Sequence, residues 1–350
     1  MDDFINALTD AFAQTQQWLF ETVVQPIIFA LGVGGMVEDG FTATGWFLVG
    51  LLQLIVLIVI IAPLQKLKPV EPMTDRATVR TDILYTLIHR LGFFRLALFF
   101  TLDPLIESGF GALRVAGMET FHLDQWFFGM VGLESALLGF FIYLVVFDFV
   151  DYWIHRSQHG LNWWWQLHSL HHAQRQMTMW SDNRNHLLDD VLRDSILVCV
   201  GLAVGIAPGQ FVALVAVTQL SESFQHANVK IWFGALGERL LVSPRFHRLH
   251  HAIGIGHEFP VKLSDAGPPQ GAKAPSEGSG DALAQSVGAR LGGHNFGVLL
   301  PWWDVLFRTG NFEKRFDATG VRDQIEHGRS YGQGFWQQQW LGVKRLAGRA

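Results

Sequence analysis

Three strings of histidines in this chain are spaced for metal chemistry. Asp151-Tyr-Trp-Ile-His155-Arg-Ser-Gln-His159 holds a His-x3-His pair, while His168-Ser-Leu-His171-His172 and His247-Arg-Leu-His250-His251 each hold a His-x2-His-His triplet. On a helix, positions i, i+3 and i+4 share one face with side chains about 5–6 Å apart, so each string can aim two or three imidazoles at one point. Phe224-Gln-His226-Ala-Asn228 offers a further imidazole, and Asn183-Arg-Asn-His186 another. The candidate metal ligands are therefore His155, His159, His168, His171, His172, His186, His226, His247, His250 and His251. Ten of the fifteen histidines fall between residues 155 and 251. A lone His-x3-His pair arises by chance, but strings repeated this way, with uncompensated imidazoles close to lipid, are costly unless they coordinate something.

Such a set exceeds what one ion uses, since a single zinc takes three or four protein ligands. Two ions with open positions are expected. Neutral imidazole suits iron, copper and zinc, and no soft ligand competes. A pair of redox metals suits activation of O2, the expected co-substrate, and attack on an unactivated lipid C–H bond. Two iron ions are the expected cofactor, with zinc a metal that imidazole sites also recover on purification.

Around the strings, Asp148 and Asp151 can orient ligand imidazoles through the second ring nitrogen or sit hydrated at the end of a membrane span. Glu222, four residues before His226, can ligate, hydrogen-bond a ligand or face away. No side-chain acid or base is assigned to the C–H cleavage itself. Arg156 and Arg248 read as partners of carboxylates rather than of lipid phosphates, and Trp163-Trp164-Trp165 as an interfacial anchor.

The combination of these strings with Asp148 and Tyr152-Trp153 before His155-Arg156, Ser243-Pro244-Arg245 before the third string, and Asn295-Phe296-Gly297 followed by Trp303-Asp304-x2-Phe307 resembles the fatty acid hydroxylase/sterol desaturase superfamily. The resemblance covers about residues 130 to 310. It implies a non-heme di-iron, O2-dependent enzyme that hydroxylates or desaturates a membrane lipid: a sterol, fatty acyl chain, sphingolipid or ether lipid. The chain departs from that pattern at Arg308, where similar members usually have Gly before Thr309, and in a longer insert at 261–293. Some relatives also place a histidine where Glu222 stands. No flavin, nicotinamide or heme module is visible, so an external electron donor is expected, a ferredoxin or a b-type cytochrome with its reductase.

The elements that must position these groups are apolar helices. About half the residues are hydrophobic, 16% are charged, and Phe and Trp number 28 and 13. The clearest span is 45–63, GWFLVGLLQLIVLIVIIAP, long enough at 1.5 Å per residue to cross roughly 30 Å of hydrocarbon. Weaker candidates are 18–37, interrupted by Glu21 and Pro26, and 92–106, interrupted by Arg95 and Asp103. A long aromatic one covers 128–149, and 196–220 is broken at Ala207-Pro208-Gly209, giving either two helices returning to one side or one kinked span. Lys66, Lys68, Arg76, Arg80 and Arg90 lie between the second and third spans, against Arg114 alone in the following loop. The positive-inside rule then puts residue 150 onward on the cytoplasmic face, and if 196–220 is a returning hairpin all ten clustered histidines share that face.

The expected fold is an all-α integral membrane bundle of about four to six membrane helices beneath a cytoplasmic helical cap holding the di-metal site. The expected division is N-terminal membrane helices in 1–127, a catalytic domain in 128–310 with 261–293 as a mobile insert, and a peripheral tail in 311–350. The acidic opening MDDFINALTD lacks the basic region of a signal peptide, so insertion is expected to rest on internal segments, in a bacterial-type inner (cell) membrane. A net charge of −5 argues against nucleic acid as a partner. One cysteine, Cys199, excludes an internal disulfide and a Cys-based zinc cluster and is expected to be a small buried hydrophobe. Two other functions are weighed. A zinc membrane hydrolase is disfavoured because Gly256-His257-Glu258-Phe259-Pro260 lacks the second histidine of His-Glu-x2-His. A metal transporter or metal-binding protein is disfavoured because transporters hold ligands at the bilayer midplane.

Overall fold

In the computed structural model, which describes residues 2–119, 121–132, 135–253 and 293–349, the apolar run at 45–63 sits inside one continuous helix from Gly34 to Leu67. Its central part is α3 (Val37–Val56), followed by one wider turn at Leu57–Ile61, just before Pro63, and then α4 (Ala62–Leu67). A proline has no N–H to give the preceding turn, and the looser turn accommodates that loss. Leu52, Ile55, Ile58, Val59 and Ile60 are each more than half exposed. A face that apolar needs an apolar medium or a partner. Before it, α1 (Asp2–Leu19), a wider turn at Phe20–Val24 and α2 (Gln25–Ala30) run on as one helix, so the 18–37 candidate starts inside that helix and is broken after Ala30.

α5 (Arg76–Arg90) is capped by Asp75, whose carboxylate accepts the Thr78 N–H at 3.0 Å. Gly50 of α3 faces the Arg90 carbonyl so closely that any Cβ there would collide with it, which makes glycine a requirement of that helix crossing. The expected span at 92–106 divides into α6 (Phe93–Thr101) and α7 (Asp103–Val115), with Asp103-Pro104 opening the second helix. Nine residues rise about 13 Å, too little to cross hydrocarbon alone.

The 128–149 candidate shifts C-terminally. Gly132, at φ +69°, ends α8 (Leu123–Val131), and Ser135 caps α9 (Ala136–Gly160), whose far end carries His155 and His159. α10 (Asn162–His172) follows at once with the second histidine string. The region 196–220 is a hairpin: α11 (Leu187–Val204) ends on Gly205 at φ +71°, and α12 (Pro208–Gln225) returns, leaving His226 beside the start of α11. Two helices among the described residues are long and apolar enough to cross a membrane, Gly34–Leu67 and Ala136–Gly160.

α13 (Gly234–Leu240) leads to α14 (Pro244–His250), where Ser243 accepts the Phe246 N–H at 3.1 Å and Pro244 pre-sets the first turn. Then come α15 (Trp302–Leu306), α16 (Arg322–Glu326) and α17 (Phe335–Leu346). Among the described residues the only extended pairing is an isolated bridge between Ala252 and Thr319. The insert at 261–293 lies outside the described residues apart from Gly293.

Tyr143, Leu144 and Phe147 of α9 pack with Leu197 of α11, Leu214 of α12, and Leu299 and Leu300. Leu57 and Ile61 pack on Met179, Ala227 and Val229. Polar ties close the remaining side. Arg184 makes a two-pronged pair with Asp82 at 2.6 and 2.8 Å, and buried Arg90 donates to Asp182, Ser223 and Gln219. The tail, expected to be peripheral, presses α17 against α10: Arg345 is buried and donates to the Gln166 carbonyl at 3.1 Å, while Trp336 and Trp340 face outward. Cys199 is half-buried on α11.

Candidate metal centre

Four short stretches deliver nine buried histidines to one chamber. His155 and His159 come from the last turns of α9, and His168, His171 and His172 from α10. His226 follows α12, and His247, His250 and His251 lie on and just after α14. The potential ligand atoms of His155, His159, His168 and His172 all lie within 4.8 Å of one another, as do those of His171, His226, His247 and His251. His172, His250 and His251 form a third such group, bridging the other two. The arrangement is two adjoining four-histidine nests.

The ring nitrogens face inward because their opposite nitrogens are tied outward. His155 Nδ1 is 3.0 Å from the Phe296 carbonyl, His226 Nδ1 is 2.8 Å from the Glu222 carbonyl, and His250 Nδ1 is 2.7 Å from the His294 carbonyl. A carbonyl only accepts, so each Nδ1 carries the proton and each Nε2 keeps its lone pair for a cation. His168 Nδ1 donates to Asp189 Oδ2 at 2.9 Å, and its buried Nε2 has no hydrogen-bond partner. Asp189 is held in turn by Gln158 Nε2 at 2.7 Å and Trp164 Nε1 at 2.6 Å.

In the second nest the Nε2 atoms of His171 and His226, His226 and His247, and His247 and His251 are each 3.1 Å apart. Two nitrogens bound at right angles to one ion, each about 2.1 Å from it, would be about 3.0 Å apart. The nest therefore fits a cation at its centre. Burial, reinforced by the facing imidazoles, holds His171, His172, His247, His250 and His251 well below the ordinary histidine range and lowers His226. Rings kept neutral keep their lone pairs available.

The two carbonyls that orient His155 and His250 belong to a clamped segment. Asn295, at φ +60°, donates to the Phe246 carbonyl and accepts the Asn311 N–H. Asp304 accepts the N–H groups of Phe296 and Gly297 at 2.9 and 2.7 Å and the Thr309 hydroxyl at 2.6 Å. Arg308, between these anchors, is exposed at φ +58°, a backbone region that costs a side-chain-bearing residue about 1–2 kcal/mol. Arg308→Gly is expected to raise stability by roughly 0.5–1 kcal/mol after glycine's greater freedom in the unfolded chain is subtracted. A higher thermal midpoint with unchanged metal content checks this.

His186 is a correction: the structure does not bring it to the nests. Its Nδ1 accepts the Leu188 N–H at 3.2 Å, capping α11, and its Nε2 donates to the Gln339 carbonyl at 2.8 Å, with Gly342 of α17 against the ring. Both nitrogens are committed to holding the tail. His186→Ala is expected to lower stability by about 1–2 kcal/mol and to leave metal stoichiometry unchanged, read by metal analysis beside a melting curve.

The expectation that Asp148 or Asp151 orients a ligand imidazole is corrected too, since neither carboxylate bonds a histidine, and of the three readings for Glu222 its carboxylate takes the one that bonds no ligand ring. Asp148 accepts the N–H groups of Leu299 and Leu300 and the Trp303 indole, pinning the loop that follows the clamped segment. Asp151 and Glu222 share Arg193, at 2.9 and 3.1 Å. Arg248 pairs with Glu71 at 2.8 Å, whereas Arg156 lies over Trp153 and Phe307 and donates to the Tyr152 hydroxyl. Of the tryptophan run, only Trp163 is exposed; Trp165 packs on His159 and His172.

Asp189 was missed by reading the sequence. Its one local signal is an acidic pair, Asp189-Asp190, in the first turn of an apolar helix, which reads equally as a helix start.

Residues 140–264 match the family described as fatty acid hydroxylase. The ornithine lipid hydroxylase OlsE of Rhizobium tropici is 27% identical over 209 residues, covering 59% of this chain and 60% of that protein. The chain thus spans less than two thirds of the length of this curated relative. No solved structure matches it.

Proposed function

Since the chain belongs to the fatty acid hydroxylase/sterol desaturase superfamily, we propose that it is a membrane-bound, O2-dependent lipid hydroxylase whose nine buried histidines hold two iron ions. The observation that carries this reading is the pair of adjoining four-histidine nests with their lone pairs turned inward. One group is His155, His159, His168 and His172, and the other is His171, His226, His247 and His251, with His250 at the junction. A bound pair of redox metals would supply the oxidising power for C–H cleavage.

The chain's own part is positional. Asp189 and the carbonyls of Phe296, Glu222 and His294 fix the ring orientations, and burial keeps the imidazoles neutral. Tight packing of Trp165 and Phe296 against His159 keeps bulk water from the chamber on that side. An external donor, a ferredoxin or a b-type cytochrome with its reductase, would deliver electrons.

Four or more membrane helices, with the nests on the cytoplasmic face of a bacterial-type inner membrane, are part of the same reading. The common placement of the histidines at the C-terminal ends of α9 and α12, beside the start of α11, supports it. The substrate is a lipid, and the ornithine lipid hydroxylase relative favours an acylated polar lipid over a sterol.

Metal analysis of the purified protein and comparative lipid mass spectrometry of cells with and without the gene test the proposal, with His171→Ala as control. Two irons per chain and a lipid gaining one oxygen atom only with the wild-type gene are expected. A mononuclear zinc protein with an unchanged lipid profile would overturn it.

A further inference from the structure

Three helices approach the histidine chamber with the same layered order. Along α9 the order toward the chamber is Phe147, Asp151, His155. Along α12 it is Leu214, Thr218, Glu222 and then His226. Along α11, which runs the opposite way, it is Leu197, Arg193 and then Asp189, the partner of His168. Each step is four residues, about 6 Å of helix rise, and keeps to one helix face.

Two cavities follow this order. The outer one, about 880 Å³ including its open mouth, is walled by Trp46, Phe94, Phe147, Leu197, Phe211 and Leu214. The inner one, about 540 Å³, is walled by His155, His168, His171, His226 and His247. Asp151, Arg193 and Glu222 line both. They are the partition between an apolar pocket and the metal chamber.

Arg193 spans that partition. Its Nε donates to Asp151 at 2.9 Å and its Nη2 to Glu222 at 3.1 Å, while its Nη1 makes no hydrogen bond among the described residues. The side chain is a quarter exposed and Nη1 is not among the buried unpartnered atoms, so its two N–H groups are reachable from the cavity. The other two guanidinium groups on the outer wall are engaged, Arg90 with Asp182 at 3.1 Å and Arg95 with Asp103 at 3.3 Å, and His89 Nε2 lies 3.4 Å from Asp190. Asp194 adds a carboxylate to the same wall.

We infer that Arg193 Nη1 binds an acceptor oxygen of the substrate, an ester or amide carbonyl or a carboxylate, and so selects lipids in which the oxidised carbon lies a few bonds from that oxygen. The apolar pocket takes the chain on the outer side of the partition, and a short segment reaches past it to the metals. The spacing sets the reach: one helix layer, about 6 Å, separates Arg193 from the ligand layer. A hydrocarbon chain without an acceptor would leave the guanidinium with no ligand contact and lose a charged hydrogen bond.

This rests on the lipid-hydroxylase reading for its purpose, yet binding is measurable without turnover. The experiment uses the full chain in detergent, stripped of metal. A saturated acyl methyl ester, the free acid and the alkane of equal length compete against a fluorescent acyl probe. The ester, the acid or both are expected to bind at least about tenfold tighter than the alkane. Ester preference assigns the acceptor to a linkage carbonyl, and acid preference assigns it to a carboxylate. Arg193→Gln is expected to erase the advantage and Arg193→Lys to keep part of it, while Leu214→Trp, which fills the pocket, weakens all three ligands. Equal affinity of ester, acid and alkane for the wild-type protein would overturn the assignment, whether or not any variant folds. So would an advantage that survives in Arg193→Gln. Failure of the iron or lipid-oxidation reading would leave these metal-free constants unchanged, so the two outcomes are separable.

Discussion

Asp189→Asn is expected to weaken metal retention by about 10–100-fold, the loss typical when the partner of a ligating histidine is removed. Asp189 Oδ2 accepts the proton on His168 Nδ1, which fixes the tautomer that leaves Nε2 facing the nest. Its Oδ1 accepts from both Gln158 and Trp164. An asparagine keeps the size but offers one carbonyl oxygen in place of two acceptor oxygens, so at least one donor goes unmet. If the amide nitrogen faces His168, the ring must turn over its proton to Nε2 and withdraw its lone pair from the metal. With the amide the other way round, Gln158 and Trp164 lose their acceptor and the wall between α9, α10 and α11 loosens. Either arrangement also weakens a buried carboxylate's charge-assisted bonds, a stability cost of about 2–3 kcal/mol. Competition with a calibrated chelator measures the affinity. Metal retention equal to wild type would show that Asp189 acts only as packing. Loss confined to one ion would support two separable sites, because His168 belongs to the first nest alone.

What could be read from residue order follows from how local each signal is. Eight of the nine chamber histidines were legible because i, i+3, i+4 spacing is decided within one helical turn, while His226 stood out only as a further imidazole between the strings. His186 was misread because Asn-His before an apolar run looks the same whether the ring ligates a metal or caps a helix; the acidic pair after it favoured the cap. The partners that orient the rings were out of reach. Asp189 lies 21 residues from His168, and the Phe296 carbonyl lies 141 residues from His155. A carbonyl has no residue type to betray it. The motif Asn295-Phe296-Gly297 with Asp304 was visible as a pattern, but its job is backbone placement, which only the folded chain displays. Apolar runs located the helices well and their ends poorly: capping by Ser135 and the left-handed Gly132 moved one span by about eight residues. The Asp151–Arg193–Glu222 partition escaped because each member alone reads as an ordinary charge near a helix end.

Acidification of the metal-free protein is expected to unfold the histidine chamber between about pH 6.5 and 5. His171, His172, His247, His250 and His251 are held well below the ordinary value of 6.5 by burial and by one another, and His226 is lowered too. Below pH 6.5 the unfolded chain binds protons at these positions and the folded chain does not. The slope of stability with pH is then positive: the contribution is complete above 6.5 and is lost as pH falls. Each group costs about 1.4 kcal/mol per pH unit, so six together cost roughly 8 kcal/mol per unit, comparable with the whole stability of an ordinary domain. Metal reverses the balance, because a cation occupies the same lone pairs and protons must displace it first. The loaded protein should therefore hold its fold to a lower pH than the stripped one, and then lose metal and structure in one cooperative step. Thermal midpoints against pH for both forms, with released metal followed by a colorimetric chelator, measure the gap. A stripped protein as stable at pH 5 as at pH 7 would mean that the rings gain protons in the folded state, and that the chamber opens to water rather than staying closed around neutral imidazoles.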